Sequence, residues 1–369
     1  MALFRQGRRA FGRMVVRLAR GFRDGIFGRV TPPAPDCLPS RILIIRPFYM
    51  GDILLSLPIL QAIKRRNPAA STAWLLREEW ADLLRGHCLV DEVIAYSEAR
   101  LHSATGILEW WRVARELRRR RFGLVLNLAW DRSSLLWAWF CGAGIRTGIE
   151  EYGRPRLLSL LQNINVLAPE RSSDMRHMAD FYHDALAPFG FGARDEMPRV
   201  WSRPEEETAV KKWLSARGLE GKPYFLVHPG GRLRGKRWAP ERFAELLRRL
   251  KGWGGNEIVL VYGPGEASWV ENELKDCSAA FWPVPTLGEL MALVSGAVLF
   301  VGNDSGPMHL AAACGRPVVA IFGNDPTRWH PLGGRQTVVG GAKGLDAVSV
   351  DEVLAAVRFR LEEKPENGR

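Results

Sequence analysis

The chain has 369 residues, 47% hydrophobic, 10% aromatic and 25% charged, a composition that excludes disordered, fibrous and collagen-like classes. A single hydrophobic core stops growing at roughly 250 to 300 residues, so two domains are expected. Lys plus Arg outnumber Asp plus Glu by 52 to 40, and the net charge of +12 favours a negatively charged partner. The longest apolar stretch, residues 135–145, is interrupted by Gly142 and Gly144 and falls short of the roughly 20 residues that cross a bilayer. Cys37, Cys88, Cys141, Cys277 and Cys314 stand far apart without a CxxC pair, which suggests neither a disulfide framework nor a zinc cluster and fits a reducing cytoplasm.

Most of the excess charge lies in residues 1–29, which carry eight arginines against one aspartate. Phe11, Met14, Val15, Leu18, Phe22 and Ile26 form one stripe of a helix whose other faces hold Arg9, Arg13, Arg17, Arg20 and Arg23. Arginines interrupt every turn, so a secretory signal is disfavoured and a basic amphipathic helix on an anionic membrane surface is expected. The proline-rich run 31–35 reads as a stiff linker.

From residue 41 the pattern becomes strand, tight loop, helix: an apolar run at 42–45, a turn at 47–51 and a helix over 53–63. Strands are predicted at 72–76, 92–96 and 124–128, and a helix at 107–120, the alternation of a parallel sheet. The aperiodic stretch 190–204 is the expected interdomain connection. A second cycle follows, with strands at 224–228, 258–262, 297–301 and 318–322, a glycine-rich loop at 229–235, and a helix at 240–250 with Pro240 in its first turn. Two Rossmann-like halves result.

Ligands of such sheets sit at the carboxyl ends of strands, and three loops there are unusual. In the first, Asp52 follows Gly51, and on spacing alone a helix cap and a catalytic base are equal readings. In the second, residues 230–236 nearly match G-x-x-x-x-G-K, but Arg237 replaces the Ser or Thr that would hold magnesium, so an NTPase is rejected. A flexible backbone and four cations remain, with Lys236 as a point charge for phosphate. In the third, Asn303-Asp304-Ser305-Gly306-Pro307-Met308-His309 runs into an alanine-rich helix. Asp304 or Ser305 is expected to cap it, and Gly306 lets an anion approach the helix start, with His309 one turn on. This loop reads as a diphosphate site.

The runs 41–58 (RILIIRPFYMGDILLSLP), 236–243 (KRWAPERF) and 303–313 (NDSGPMHLAAA), followed by Arg316-Pro317, Phe322-Gly323 and 325–333 (DPTRWHPLG), resemble the signatures of glycosyltransferase family 9, the lipopolysaccharide heptosyltransferase family. The resemblance spans both halves from residue 41 to the last helix. It implies a GT-B fold of two Rossmann-like domains facing a cleft: an N-terminal acceptor domain, 41–200, and a C-terminal donor-nucleotide domain, 201–345. Residues 1–40 form a basic extension and linker, and 346–369 a helix and tail. Carried over by position, Asp52 is the general base, Lys236 meets the diphosphate, Asp304, Ser305, Gly306 and His309 form the donor-binding turn, and Glu266 holds the ribose. Gly230 and Gly231 stand where some members place hydroxyl residues, so contacts there are expected from backbone N–H alone. The implied activity is inverting transfer of heptose from ADP-heptose to a lipid A–Kdo or heptosyl inner-core acceptor. A lipid-linked acceptor implies a cytoplasmic enzyme held at the inner face of the bacterial cytoplasmic membrane. No Asp-x-Asp motif occurs, so no metal and no cofactor are expected.

Two further groups stand out. Asp174, His177, Asp180, His183 and Asp184 read as an amphipathic helix rather than a metal site. Arg112, Arg115 and Arg118, near Trp110 and Trp111, read equally as a solvated helix face and as an acceptor surface for a phosphorylated glycolipid. The competing functions are a nucleotide-sugar epimerase of the same fold, a non-catalytic membrane scaffold, and a nucleic-acid-binding protein. The last is disfavoured because no recognisable module accompanies the charge.

Overall fold

Apolar runs of about five residues, too short for helices, form the inner strands of two parallel sheets, as expected where both faces of a sheet are covered. The computed structural model describes residues 30–129, 131–150, 160–167, 176–263, 265–277, 279–283, 286–333 and 335–363. The basic segment 1–29, Asp174 and the tail beyond residue 363 lie outside the described residues. The chain groups into two compact units. One holds residues 30–48 and Ser56–Glu196, the other Tyr49–Leu55 and the residues from Met197 onward.

In the first unit, β1 (Arg41–Ile45), β2 (Ser71–Arg77), β3 (Glu92–Tyr96), β4 (Leu124–Asn127), β5 (Ile145–Glu150) and β6 (Ile164–Leu167) form a sheet in the order β3-β2-β1-β4-β5-β6. All its pairings are parallel. Helix α1 (Met50–Ser56) follows β1 in the chain but, up to Leu55, groups with the second unit; the main helices of the first unit are α2 (Pro58–Arg66), α3 (Gly106–Arg119), α4 (Arg132–Phe140) and α5 (Met178–His183). Leu43, Ile45, Leu75 and Val125 from the strands pack against Val113 and Leu117 of α3 and Trp137 of α4. The single helix expected over 53–63 is two helices. Pro58 stands at the first position of α2, where its missing N–H is tolerated, and it could not continue α1.

The second unit repeats the plan. Its strands are β7 (Tyr224–His228), β8 (Glu257–Tyr262), β9 (Ala280–Pro283), β10 (Leu299–Asn303), β11 (Val318–Phe322) and β12 (Gln336–Gly340), in the order β12-β11-β10-β7-β8-β9 and again parallel. The helices used below are α6 (Pro240–Leu250), α7 (Leu287–Gly296), α8 (Gly306–Ala313) and α9 (Val350–Glu362). Phe243 and Leu247 of α6 and Val353 and Val357 of α9 are buried with Phe225, Val227, Val301 and Ile321 of the strands. The strand expected at 297–301 begins two residues later, because the Ala297 N–H still closes the end of α7 on Val294. That shift makes Asn303 the last residue of β10.

In each sheet the order reverses once, between β1 and β4 in the first unit and between β7 and β10 in the second. At such a switch point neighbouring connections leave in opposite directions and open a crevice at the carboxyl ends of the strands. The loops carrying Lys236 and Asp304 follow β7 and β10, and the turn carrying Asp52 follows β1. No described helix is long and apolar enough to cross a membrane.

Candidate active site

The loop after β7 is built around one buried amide. The Asn303 side chain is fully buried at the end of β10, and its Nδ2 donates to the carbonyls of Pro229 at 2.7 Å and Gly230 at 2.9 Å. Its Oδ1 accepts the Trp238 N–H at 3.1 Å, so both ends of the loop are fastened to one strand terminus. Trp238 is itself buried, with Nε1 donating to the Val348 carbonyl at 3.0 Å. The loop expected to be flexible is therefore pinned.

Glu266 pins it from the other side. One carboxylate oxygen accepts the Gly231 N–H at 2.5 Å, and the other accepts the Gly263 N–H at 2.9 Å. A side chain at position 230 would overlap this carboxylate, so glycine is required there. The Gly231 N–H, expected to face phosphate, is thus already paired within the chain. Burial raises the pKa of Glu266, but His228 and the two backbone N–H groups outweigh it and bring the value down to about 2. His228 is buried, with Nε2 3.4 Å from Glu266 and Nδ1 3.3 Å from the Ser305 hydroxyl.

Lys236 closes a short 3-10 turn, Arg234–Lys236, and its Nζ donates to Asp304 Oδ2 at 2.5 Å. Sequence spacing suggested that Asp304 or Ser305 would cap α8. Neither carboxylate nor hydroxyl does: Ser305 occupies the cap position without a side-chain bond to the helix, Asp304 takes the lysine, and Pro307 removes one N–H from the first turn. A lysine ammonium and the positive end of an eight-residue helix therefore meet at the switch point of the second sheet.

Asp52 belongs to the same unit by its packing. Helix α1 begins at Met50, so Asp52 stands in its first turn and is not the cap. Tyr49, with φ 56°, makes the turn, and the Arg232 guanidinium lies 4.5 Å from its ring centroid. Gly51 packs against the His309 ring: a Cβ there would come within 2.8 Å of His309 Cδ2. Gly306 likewise approaches Met50. Close contact at these two glycines seats the Asp52 turn against the start of α8, and Asp52 is buried, with 7% of the residue exposed. In the first unit Arg46, just after β1, donates to the Leu128 carbonyl at 3.3 Å and to the Tyr182 hydroxyl at 2.7 Å, which ties the end of β1 to the end of β4.

The structure thus gathers Gly230, Gly231, Lys236, Glu266, Asp304, Ser305, Gly306 and His309 with the Asp52 turn, and leaves Arg112, Arg115 and Arg118 on α3. Arg112 is held by Glu109 at 2.8 and 2.9 Å and by Glu116 at 2.8 Å. Hydrogen bonds from Arg112 lower the Glu109 pKa to about 2 against the effect of burial. His177 caps α5, accepting the Ala179 N–H at 3.1 Å, while Asp180 pairs with Arg194 and Asp184 with Arg176. Among the described residues no three His, Cys, Asp or Glu side chains group as metal ligands. Sequence reasoning gave no role to Asn303, His228 or Arg46. Their common signal was a polar residue at the buried end of an apolar strand, or one residue beyond it.

The family model for "Glycosyltransferase family 9 (heptosyltransferase)" matches residues 110–352. The chain is 27% identical over 320 residues to lipopolysaccharide heptosyltransferase 2 of Escherichia coli (strain K12), covering 81% of this chain and 87% of that protein. Its fold is similar to that of the glycosyl transferase family 9 protein of Veillonella parvula, with a TM-score of 0.78 at 23% identity over 88% of this chain and 98% of that one. It is similar also to E. coli ADP-heptose lps heptosyltransferase II, with a TM-score of 0.73 at 22% identity over 87% and 98% of the two chains. These likenesses establish the GT-B fold class for the two Rossmann-like units.

Asn303→Asp keeps the shape of the clamp and removes its donor, leaving two buried carbonyls without a partner and a carboxyl facing them. The variant is expected to lose about 2 to 4 kcal/mol of unfolding free energy in urea titration. A change below about 0.5 kcal/mol would mean that the loop does not depend on this amide.

Proposed function

The chain belongs to glycosyltransferase family 9 (heptosyltransferase), and from that premise we propose that it transfers heptose from ADP-heptose to a lipopolysaccharide inner-core acceptor, with inversion at the transferred carbon. The observation that carries this reading is the Lys236–Asp304 ion pair at the start of α8, fixed by the Asn303 clamp. A nucleoside diphosphate leaving group needs positive charge where the bond breaks, and a preorganised ammonium beside a helix start supplies it. The relative whose name carries ADP-heptose supports the choice of donor.

In this reading the acceptor hydroxyl attacks the anomeric carbon opposite the diphosphate. The bond from that carbon to the phosphate oxygen breaks, its electron pair goes to the diphosphate, and Asp52 takes the hydroxyl proton. Asp304 orients Lys236, while Ser305, Gly306 and His309 form the floor under the donor. Glu266 keeps lone pairs for ribose hydroxyls while its oxygens hold Gly231 and Gly263. On the acceptor side Arg115 and Arg118 meet phosphates at its lipid end, at the bilayer surface, and Arg112 serves to hold α3 against β3 through Glu109. The acceptor is a lipid-linked oligosaccharide, and residues 1–29 bring the enzyme to the anionic inner face of the cytoplasmic membrane.

Asp52→Ala is expected to lower turnover by about 10²-fold or more with nucleotide affinity little changed, measured by steady-state kinetics and calorimetry. Near-normal turnover on the true acceptor would leave Asp52 a structural residue of α1.

Lys236→Ala is expected to weaken ADP binding and slow transfer together, while EDTA leaves wild-type activity intact because protein cations neutralise the diphosphate. Strict dependence on magnesium would overturn that assignment.

A further inference from the structure

Helix α3 carries an exposed face that neither the core nor the donor site uses. Ile107 and Leu108 are 62% and 66% exposed, Trp111 is 46% exposed, and Trp139 on α4 is 45% exposed. Nine large hydrophobic side chains are exposed among the described residues, and four of them lie here, a concentration that single surface hydrophobes do not show. At 100° per residue, positions 107, 108, 111, 115, 118 and 119 fall within one arc of roughly 120° on α3. The apolar members occupy its first turns. Arg115, Arg118 and Arg119 occupy its last turns and are exposed.

The patch rests on a cluster of packed aromatic rings. Trp111 and Trp139 each meet the Phe140 ring edge-on, with centroids 5.3 and 4.8 Å away, and Phe140 meets Trp110 at 5.0 Å. Trp110 stacks on the buried Trp137 at 6.5 Å. Arg118 reaches back to the Phe140 carbonyl at 3.5 Å, which joins the cationic end of α3 to the aromatic end of α4. The face carries no unpaired carboxylate: Glu109 and Glu116 are both engaged by arginines. Arg115, Arg118 and Arg119 form no ion pair among the described residues.

We propose that this face of α3 and α4 docks on an anionic lipid bilayer, with Ile107, Leu108, Trp111 and Trp139 entering the headgroup boundary and Arg115, Arg118 and Arg119 meeting lipid phosphates. Amphipathic aromatic rings favour that boundary, and clustered cations add attraction to anionic headgroups. A second copy of the chain is a poor occupant, because it would bury Arg115, Arg118 and Arg119 against a face that offers no unpaired carboxylate. The inference places membrane contact within the first unit and does not require residues 1–29 to supply it. It is compatible with a lipid-linked acceptor, but its physical basis does not depend on the donor or the reaction.

The test uses the full-length chain and vesicles free of glycolipid, of phosphatidylglycerol mixed with phosphatidylcholine or of phosphatidylcholine alone. Failure of the glycosyltransferase reading would therefore not touch the result. The variant Ile107→Gln/Leu108→Gln/Trp139→Gln is expected to reduce sedimentation with mixed vesicles by about tenfold or more, and Leu108→Trp to increase it by about threefold. Leu108 is exposed, so Leu108→Trp leaves the core untouched, and a parallel spin without vesicles subtracts any pelleting by aggregation. Unchanged binding by the triple variant, or no gain from Leu108→Trp, would overturn the proposal. So would sedimentation equilibrium showing that the triple variant abolishes self-association while vesicle binding is unaltered.

Discussion

The second unit depends on a side-chain amide that has nowhere to go. Asn303 is fully buried at the end of a central parallel strand, where an unpaired donor or acceptor costs about 1 to 3 kcal/mol. Satisfying it requires the carbonyls of residues 229 and 230 and the N–H of residue 238 to come to it. That requirement draws the basic loop over the switch point, brings Lys236 within 2.5 Å of Asp304, and leaves Gly230 so close to Glu266 that a Cβ has no room. The geometry of the site follows from these backbone constraints more than from attraction between its charged groups. The ion pair is partly exposed, with Lys236 34% accessible, and such pairs contribute little to stability by themselves.

Positive charge in the site is balanced in layers. Asp304 answers Lys236, and Glu266, held well below its usual pKa, lies against His228 beneath the glycine turn. An anionic ligand would meet an ammonium and a helix start already oriented by neighbours. Little reorganisation would then remain for the moment of bond breaking, which is what makes preorganised charge effective. The Asp52 turn joins this arrangement through two glycines that meet His309 and Met50, so the position of a carboxylate is set by the absence of side chains beside it.

Much of this was legible in the sequence because inner strands of a parallel sheet are continuous apolar runs. Strands β3, β7 and β11 fall at the positions their composition predicts. The outer strands β5, β6, β9 and β12 were not anticipated: each is short or mixes polar residues and glycine with apolar ones, as strands away from the buried centre of a sheet can. The Asp52, Lys236 and Asp304 loops were legible as strand-end turns rich in glycine and charge. What each side chain does was not. Whether Asp304 caps a helix or holds a lysine depends on where the chain 68 residues earlier comes to rest. The roles of Asn303 and His228 were not legible because their partners are backbone groups and side chains distant in sequence, and no local pattern encodes those.

Under the proposed function, the second unit's switch point is a diphosphate site selective for an adenine nucleotide sugar. Isothermal titration of the full-length chain with ADP, UDP and GDP, repeated on Lys236→Ala, tests it most directly. The account predicts that ADP binds about tenfold or more tightly than the other two, and that the lysine variant loses most of that affinity. Equal weak binding of all three, or ADP affinity unaltered in Lys236→Ala, would contradict it.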